Sequence, residues 1–124
     1  MTKKELKKIL KISDQIYPAL KEKKTVVHLI KGGRKKKVNI PHWAHHLVNY
    51  FEEILQAEDD FTVYHVIKWS YILGYSDKRL LTELPLSESG LYRVKSKIED
   101  KVYQLYIVNG FVTLEEVISN KIVV

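Results

Sequence analysis

Cysteine is absent from the 124-residue chain, which excludes a disulfide framework and every thiolate-based zinc or redox site. Glycine and proline are scarce, at five and three residues, and no stretch has the composition of a linker. No apolar run approaches the roughly 20 residues that cross a bilayer. The lysine-studded start MTKKELKKILK leaves no apolar core for a signal peptide. A cytoplasmic protein without membrane contact is therefore expected. P-loop, G-x-G-x-x-G and G-x-S-x-G patterns are missing as well. Glu52-Glu53 and Asp59-Asp60 are sequence neighbours on solvated positions, not an opposed acid and base, so an enzyme is not expected.

Histidine supplies the one cluster of metal-ligand types. His42 and His46 stand four residues apart, a spacing that puts both on one helix face. No glutamate lies between them and no third ligand is evident, so helix histidines are expected and no metal or other cofactor. His28 and His65 lie in apolar runs and are expected to be packed or hydrogen-bonded within the fold.

What is present is lysine, unevenly placed. Residues 1–40 hold 13 Lys/Arg against 3 Asp/Glu, residues 41–75 hold 1 against 5, and residues 76–124 hold 7 against 7. The net charge of +6 thus arises near the start, as in an arm that faces a polyanion; the competing reading is a solvated lysine face. Thr2 with Glu5 forms a capping-box pattern, and Leu6, Ile9, Ile12, Ile16 and Leu20 keep helical spacing. Pro18 predicts a kink or end near Tyr17. Thr25–Ile30 and Lys35–Ile40 are β-prone runs around Gly32-Gly33, the signal for a hairpin that must pack on helices to be stable. Lys31, Arg34, Lys35, Lys36 and Lys37 gather at its tip and on one strand. They suit phosphate contact, or the protection of an exposed edge.

Pro41 predicts a helix start, with Trp43, Leu47, Tyr50, Phe51, Ile54 and Leu55 as its apolar stripe. The acidic stretch 57–60 ends that helix and caps the next. Phe61–Leu73, apolar on nearly every side, reads as the central helix, with Gly74 as its terminator. Ser76 caps a short helix bearing Leu80, Leu81 and Leu84; Pro85 stops it, and Ser87 caps another. In that last helix Leu91, Val94, Ile98, Val102 and Leu105 form a seam at steps of three and four. The opposite face carries Ser89, Arg93, Ser96 and Asp100, flanked by Tyr92 and Lys97. Thr113 with Glu116 is a second capping box, predicting a short helix over 114–119. The apolar end Ile122-Val123-Val124 suits the core or a subunit contact.

Small polar residues followed by tyrosine and arginine in the first two turns are what major-groove reading requires. Ser89 and Gly90 permit close approach, Arg93 can donate twice to a guanine edge, and Ser89, Tyr92 and Ser96 complete a base-reading set. Ser87, Lys95 and Lys97 are placed for phosphates. Leu80, Leu84, Leu86, Leu91 and Val94 occupy the five apolar positions of a helix-turn-helix. Leu81 stands where that motif prefers a small residue and Pro85 where it usually has glycine, which is nearer to the looser sigma-factor region-4 variant.

The segment YSDKRLLTELPLSESGLYRVKSKIEDKVYQL resembles the C-terminal half of phage late-transcription activators of the RinA/ArpU/LtrC type. The matching residues are Leu84, Pro85, Leu86, Ser87, Tyr92, Arg93 and Lys95, within roughly residues 61–108. The resemblance implies a phage-type activator of late genes acting on double-stranded DNA in a bacterial host cell, with RNA polymerase as a further partner and a homo-oligomer, a dimer, as the working form. The expected fold is mainly α: a small helical domain with a C-terminal helix-turn-helix and one N-terminal β-hairpin. Residues 1–58 are expected to form a basic arm and oligomerisation region, and 59–124 the DNA-binding region. The alternatives are a protein-binding module that sequesters or redirects a host regulator or RNA polymerase, and a small terminase-like DNA-recognition subunit.

Overall fold

The computed structural model describes the backbone of residues 1–122 and the side chains of residues 1–118. It is mainly α, with a single hairpin near the N-terminus. Helices α1 (Lys3–Lys11) and α2 (Ser13–Lys21) precede strands β1 (Val26–Lys31) and β2 (Arg34–Asn39). A 3₁₀ turn (His42–His46) leads into α3 (Leu47–Ala57), and α4 (Phe61–Val66) runs on as a π-helical turn (Ile67–Ile72). Then come α5 (Asp77–Glu83), α6 (Glu88–Val108) and α7 (Leu114–Ile122).

Local chemistry explains most of these boundaries. Thr2 and Glu5 close the expected capping box on α1, Asp60 accepts from the Thr62 and Val63 amides at the start of α4, and Thr113 and Glu116 repeat the box at α7. Gly32 and Gly33 both adopt positive φ, +59° and +78°, as a two-residue hairpin turn demands, and they set the register Val27↔Val38, Leu29↔Lys36. Gly74 ends the π-helical turn at φ +82°.

One core draws on both halves of the chain: Leu6, Ile16 and Leu20 from α1 and α2, Leu47 and Phe51 from α3, Val66 and Ile67, Leu80, and Ile98, Val102 and Tyr106 from α6. Residues 1–58 therefore share a core with residues 59–124. Tyr106 sits at its centre, donating from its phenol to the Trp43 carbonyl at 2.7 Å and meeting Trp43, Tyr50 and Phe111 edge-on. Burial, the largest cause, pushes this phenol well above the usual tyrosine range, so it remains a donor.

Several expectations are corrected. The first helix does not end near Tyr17: the chain breaks at Ile12 (φ −113°, ψ 9°), and Pro18 stands inside α2. An interior proline costs about 3 kcal/mol, whereas burying Ile16, Tyr17 and Leu20 contributes roughly 1.5–3 kcal/mol each, so tertiary burial overrides it. Phe61–Leu73 is not one regular helix. In an α-helix the Tyr75 amide would bond the Tyr71 carbonyl; here it bonds Trp69 at 2.7 Å, and the Leu73 amide bonds Lys68. The freed Tyr71 carbonyl accepts from the buried hydroxyl of Ser13 at 2.8 Å. The π-helical turn is thereby tied to the start of α2.

Pro41 precedes a 3₁₀ turn, and α3 begins only at Leu47. At three residues per turn, His42 and His46 do not share a face. His28 is exposed on the hairpin rather than packed, whereas His65 bonds the Phe61 carbonyl through Nδ1 as expected. The hairpin packs on the core through half-buried Val27, while the residues at its tip are exposed. The expectation for Val123-Val124 and the Ile122 side chain lies outside the described residues.

Candidate nucleic-acid interface

Helix α5, its turn and α6 are fixed by caps and by three leucines. The Ser76 hydroxyl accepts from the Arg79 amide and Ser87 from the Gly90 amide, so each helix starts on a serine. Leu84, before Pro85, is extended (φ −115°, ψ 149°), as proline imposes on the preceding residue. Leu80, Leu84 and Leu91 are buried, while Leu86 and Val94 are half-buried against the core. All five apolar positions of the motif thus face inward. A Cβ on Gly90 would lie 3.2 Å from the Ser87 hydroxyl and 3.4 Å from a Leu86 methyl. The glycine is therefore used within the turn itself.

The proposed reading residues divide into two groups. Ser89, Tyr92, Arg93 and Lys97 are exposed, Tyr92 at 74%. Among the described residues, neither Arg93 nor Lys97 has an ion-pair or hydrogen-bond partner. Ser96 is different: it is half-buried and turned into a cleft between α6 and α1, which Lys7, Lys11, Tyr92 and Glu99 also line. Lys95 lines the same cleft with its ammonium 2.5 Å from the Asp77 carboxylate, so it is already engaged. Ser87 holds its cap and lies 3.2 Å from the Ser89 hydroxyl. Asp100, farther along this face, is taken up by Lys3 at 2.5 Å.

The N-terminal helix is thus docked alongside α6 rather than free. Lys4, Lys7, Lys8 and Lys11 of α1 are exposed and have no ion-pair partner among the described residues. Lys7 and Lys11 lie on the α6 side, and Lys8 lies toward the hairpin. Lys31, Arg34, Lys35, Lys36 and Lys37 are likewise exposed and unpaired among the described residues. Lys7 and Lys11 thus flank the start of α6, and Lys8 shares a groove with Lys31, Lys36 and Lys37 of the hairpin. Sequence reasoning missed Lys7 and Lys11 as flanks of α6, because their position depends on how α1 docks.

A second surface feature was also missed. Phe61, His65 and Trp69 follow one another at ring separations of 4.0 and 4.5 Å. Tyr75 stacks on Trp69 at 5.5 Å, and the Arg79 guanidinium lies 3.6 Å from the centre of the Tyr75 ring. The expected central helix, Phe61–Leu73, supplies the first three, yet Phe61 is 64% exposed and His65, Trp69 and Tyr75 are only partly covered. The four-residue spacing of Phe61, His65 and Trp69 was the available signal. His45 bonds the Lys24 carbonyl and His46 packs on Phe111, and no group of three metal-ligand side chains is assembled among the described residues.

No protein-family model, curated protein or solved structure matches the chain.

Proposed function

We propose that the chain is a sequence-specific DNA-binding transcriptional regulator, a phage-type activator of late genes, that reads the major groove of double-stranded DNA with the start of α6. The observation that carries this reading is the exposed set Ser89, Tyr92, Arg93 and Lys97 on the first turns of a helix whose other face is anchored in the core, with Arg93 and Lys97 having no ion-pair or hydrogen-bond partner among the described residues. Arg93 reads a base edge, Ser89 and Tyr92 assist, and Lys97 and the hairpin cations hold phosphates. Ser96 and Lys95 reach DNA only if the α1 cleft opens or Asp77 releases its partner. The balanced charge of residues 76–124 makes the α1 and hairpin lysines the source of affinity, with a second copy and RNA polymerase as further partners in the host cytoplasm.

The test is binding to fragments of the cognate genome over a salt series. Arg93→Ala is expected to weaken the preferred site roughly 5- to 150-fold, from about 1–3 kcal/mol, and to relax the preference. Joint replacement of Lys35, Lys36 and Lys37 by alanine is expected to weaken all sequences and flatten the log–log salt slope by up to about 2.7. Absence of any preference in the wild type at moderate salt refutes the reading. That outcome would favour a protein-binding module instead, for which the aromatic strip ending at Arg79 supplies the residue types that dominate protein interfaces.

A further inference from the structure

Between the outer side of α1 and the hairpin lies a groove of about 530 Å³ whose apolar walls the DNA reading leaves unused. Ile9 and Ile12 of α1 and Leu29 and Val38 of the hairpin supply its apolar walls. Leu29 and Val38 share one face of the hairpin, since the pairs Leu29↔Lys36 and Val27↔Val38 are two positions apart. Ile30, on the next position, borders the groove but turns its side chain to the hairpin's other face, 75% exposed amid lysines. Lys8, Lys31, Lys36 and Lys37 border it, and no acidic side chain does.

This combination of chemistries limits what fits. Phosphates of a duplex would use the lysines and leave four apolar side chains facing a polar backbone. A flat lipid surface would reach Ile30 but not Ile9, which is nearly covered at the base. An amphipathic helix with one apolar and one acidic face satisfies both parts: its apolar ridge enters between α1 and the hairpin, and its carboxylates meet the lysines. We propose that this groove is a docking site for an acidic amphipathic helix of a protein partner. The site shares Lys31, Lys36 and Lys37 with the phosphate contacts proposed above but involves nothing of α6, so base reading and helix docking fail separately.

The probe is a fluorescent peptide of about 18 residues, five helical turns, with leucines on one face and glutamates on the other. A shuffled peptide of the same composition, vesicles rich in anionic phospholipid and a random-sequence duplex serve as comparisons. The full chain is expected to bind the amphipathic peptide well above the shuffled one, and more weakly as salt rises. Leu29→Ser, in a variant whose melting curve is unchanged, is expected to weaken peptide binding roughly tenfold while leaving duplex binding unchanged. Leu29→Ile is expected to retain it, and Arg93→Ala is expected to alter the preference among duplexes alone. Equal binding of the shuffled peptide, indifference to Leu29→Ser, or Leu29-dependent binding to vesicles without peptide binding would each overturn the proposal. Loss of duplex preference with peptide binding intact would sink only the DNA reading.

Discussion

Replacing Ser13 by alanine tests the joint on which the helical framework turns. Its side chain is fully buried, and its one hydroxyl proton is shared between the Tyr71 carbonyl at 2.8 Å and the Leu10 carbonyl at 3.0 Å. The Leu10 contact is the longer of the two and takes the lesser share of the proton. Tyr71 loses the partner that replaced the Tyr75 amide, and the space of one missing oxygen is too small for water. An orphaned buried carbonyl costs about 1–3 kcal/mol. With an unfolding entropy of about 2.1 cal/mol/K per residue, each kcal/mol corresponds to about 4 °C in a chain of this length, so Tm is expected to fall by roughly 4–12 °C. Calorimetry of Ser13→Ala beside Ser96→Ala, whose hydroxyl has no partner among the described residues, measures the difference. Amide exchange should also quicken at Leu73 and Tyr75, the donors of the wide turn. Equal Tm for the two variants, with unchanged exchange at those amides, refutes the joint.

Three further outcomes follow from the same packing. Gly74→Ala should destabilise by more than about 1 kcal/mol, because a left-handed φ of +82° is combined with a Cβ only 2.5 Å from an Asp14 carboxylate oxygen. Adding Asp14→Ala should recover the clash but not the backbone strain, as a double-mutant cycle in urea would report. Tyr106→Phe should cost about 1 kcal/mol for the lost bond to Trp43, against about 3–5 kcal/mol for Tyr106→Ala, again by urea unfolding. The hydrogen bond from Lys101 at 2.7 Å is the largest cause holding the Glu58 carboxyl below its ordinary 4.5. A lowered folded-state pKa gives stability that is full above about pH 4.5 and is lost as pH falls through the folded value. Glu58→Gln should therefore lower stability at neutral pH and flatten its decline in acid, as urea midpoints measured across that range would report.

Elements whose causes lie within a few residues were legible in the chain. Thr2 with Glu5, Asp60, Ser76, Ser87 and Thr113 with Glu116 each satisfy amides two or three positions away, and Gly32-Gly33 closes its own hairpin. The seam of α6 was legible for the same reason, since helical periodicity alone brings Leu91, Ile98 and Val102 to one side. Tyr103 and Tyr106 were missed as its continuation because tyrosine can lie inside or outside, depending on what meets its hydroxyl. At the candidate site, the exposure of Arg93 and Lys97 was legible, but the half-burial of Ser96 beside α1 and the pairing of Lys95 with Asp77 depend on neighbours distant in sequence.

By itself, then, the sequence determined the mainly helical class, the caps, the hairpin register and the inward face of the last long helix, because hydrogen-bond reach and 3.6-residue periodicity are local. Tertiary structure decided the break at Ile12, the wide turn at Ile67–Ile72, the docking of α1 beside α6 and the groove under the hairpin. Each of these depends on a long-range contact, such as Ser13 to Tyr71 or Lys3 to Asp100, whose burial or charge outweighs the local preference. No window of neighbouring residues contains both partners of such a contact.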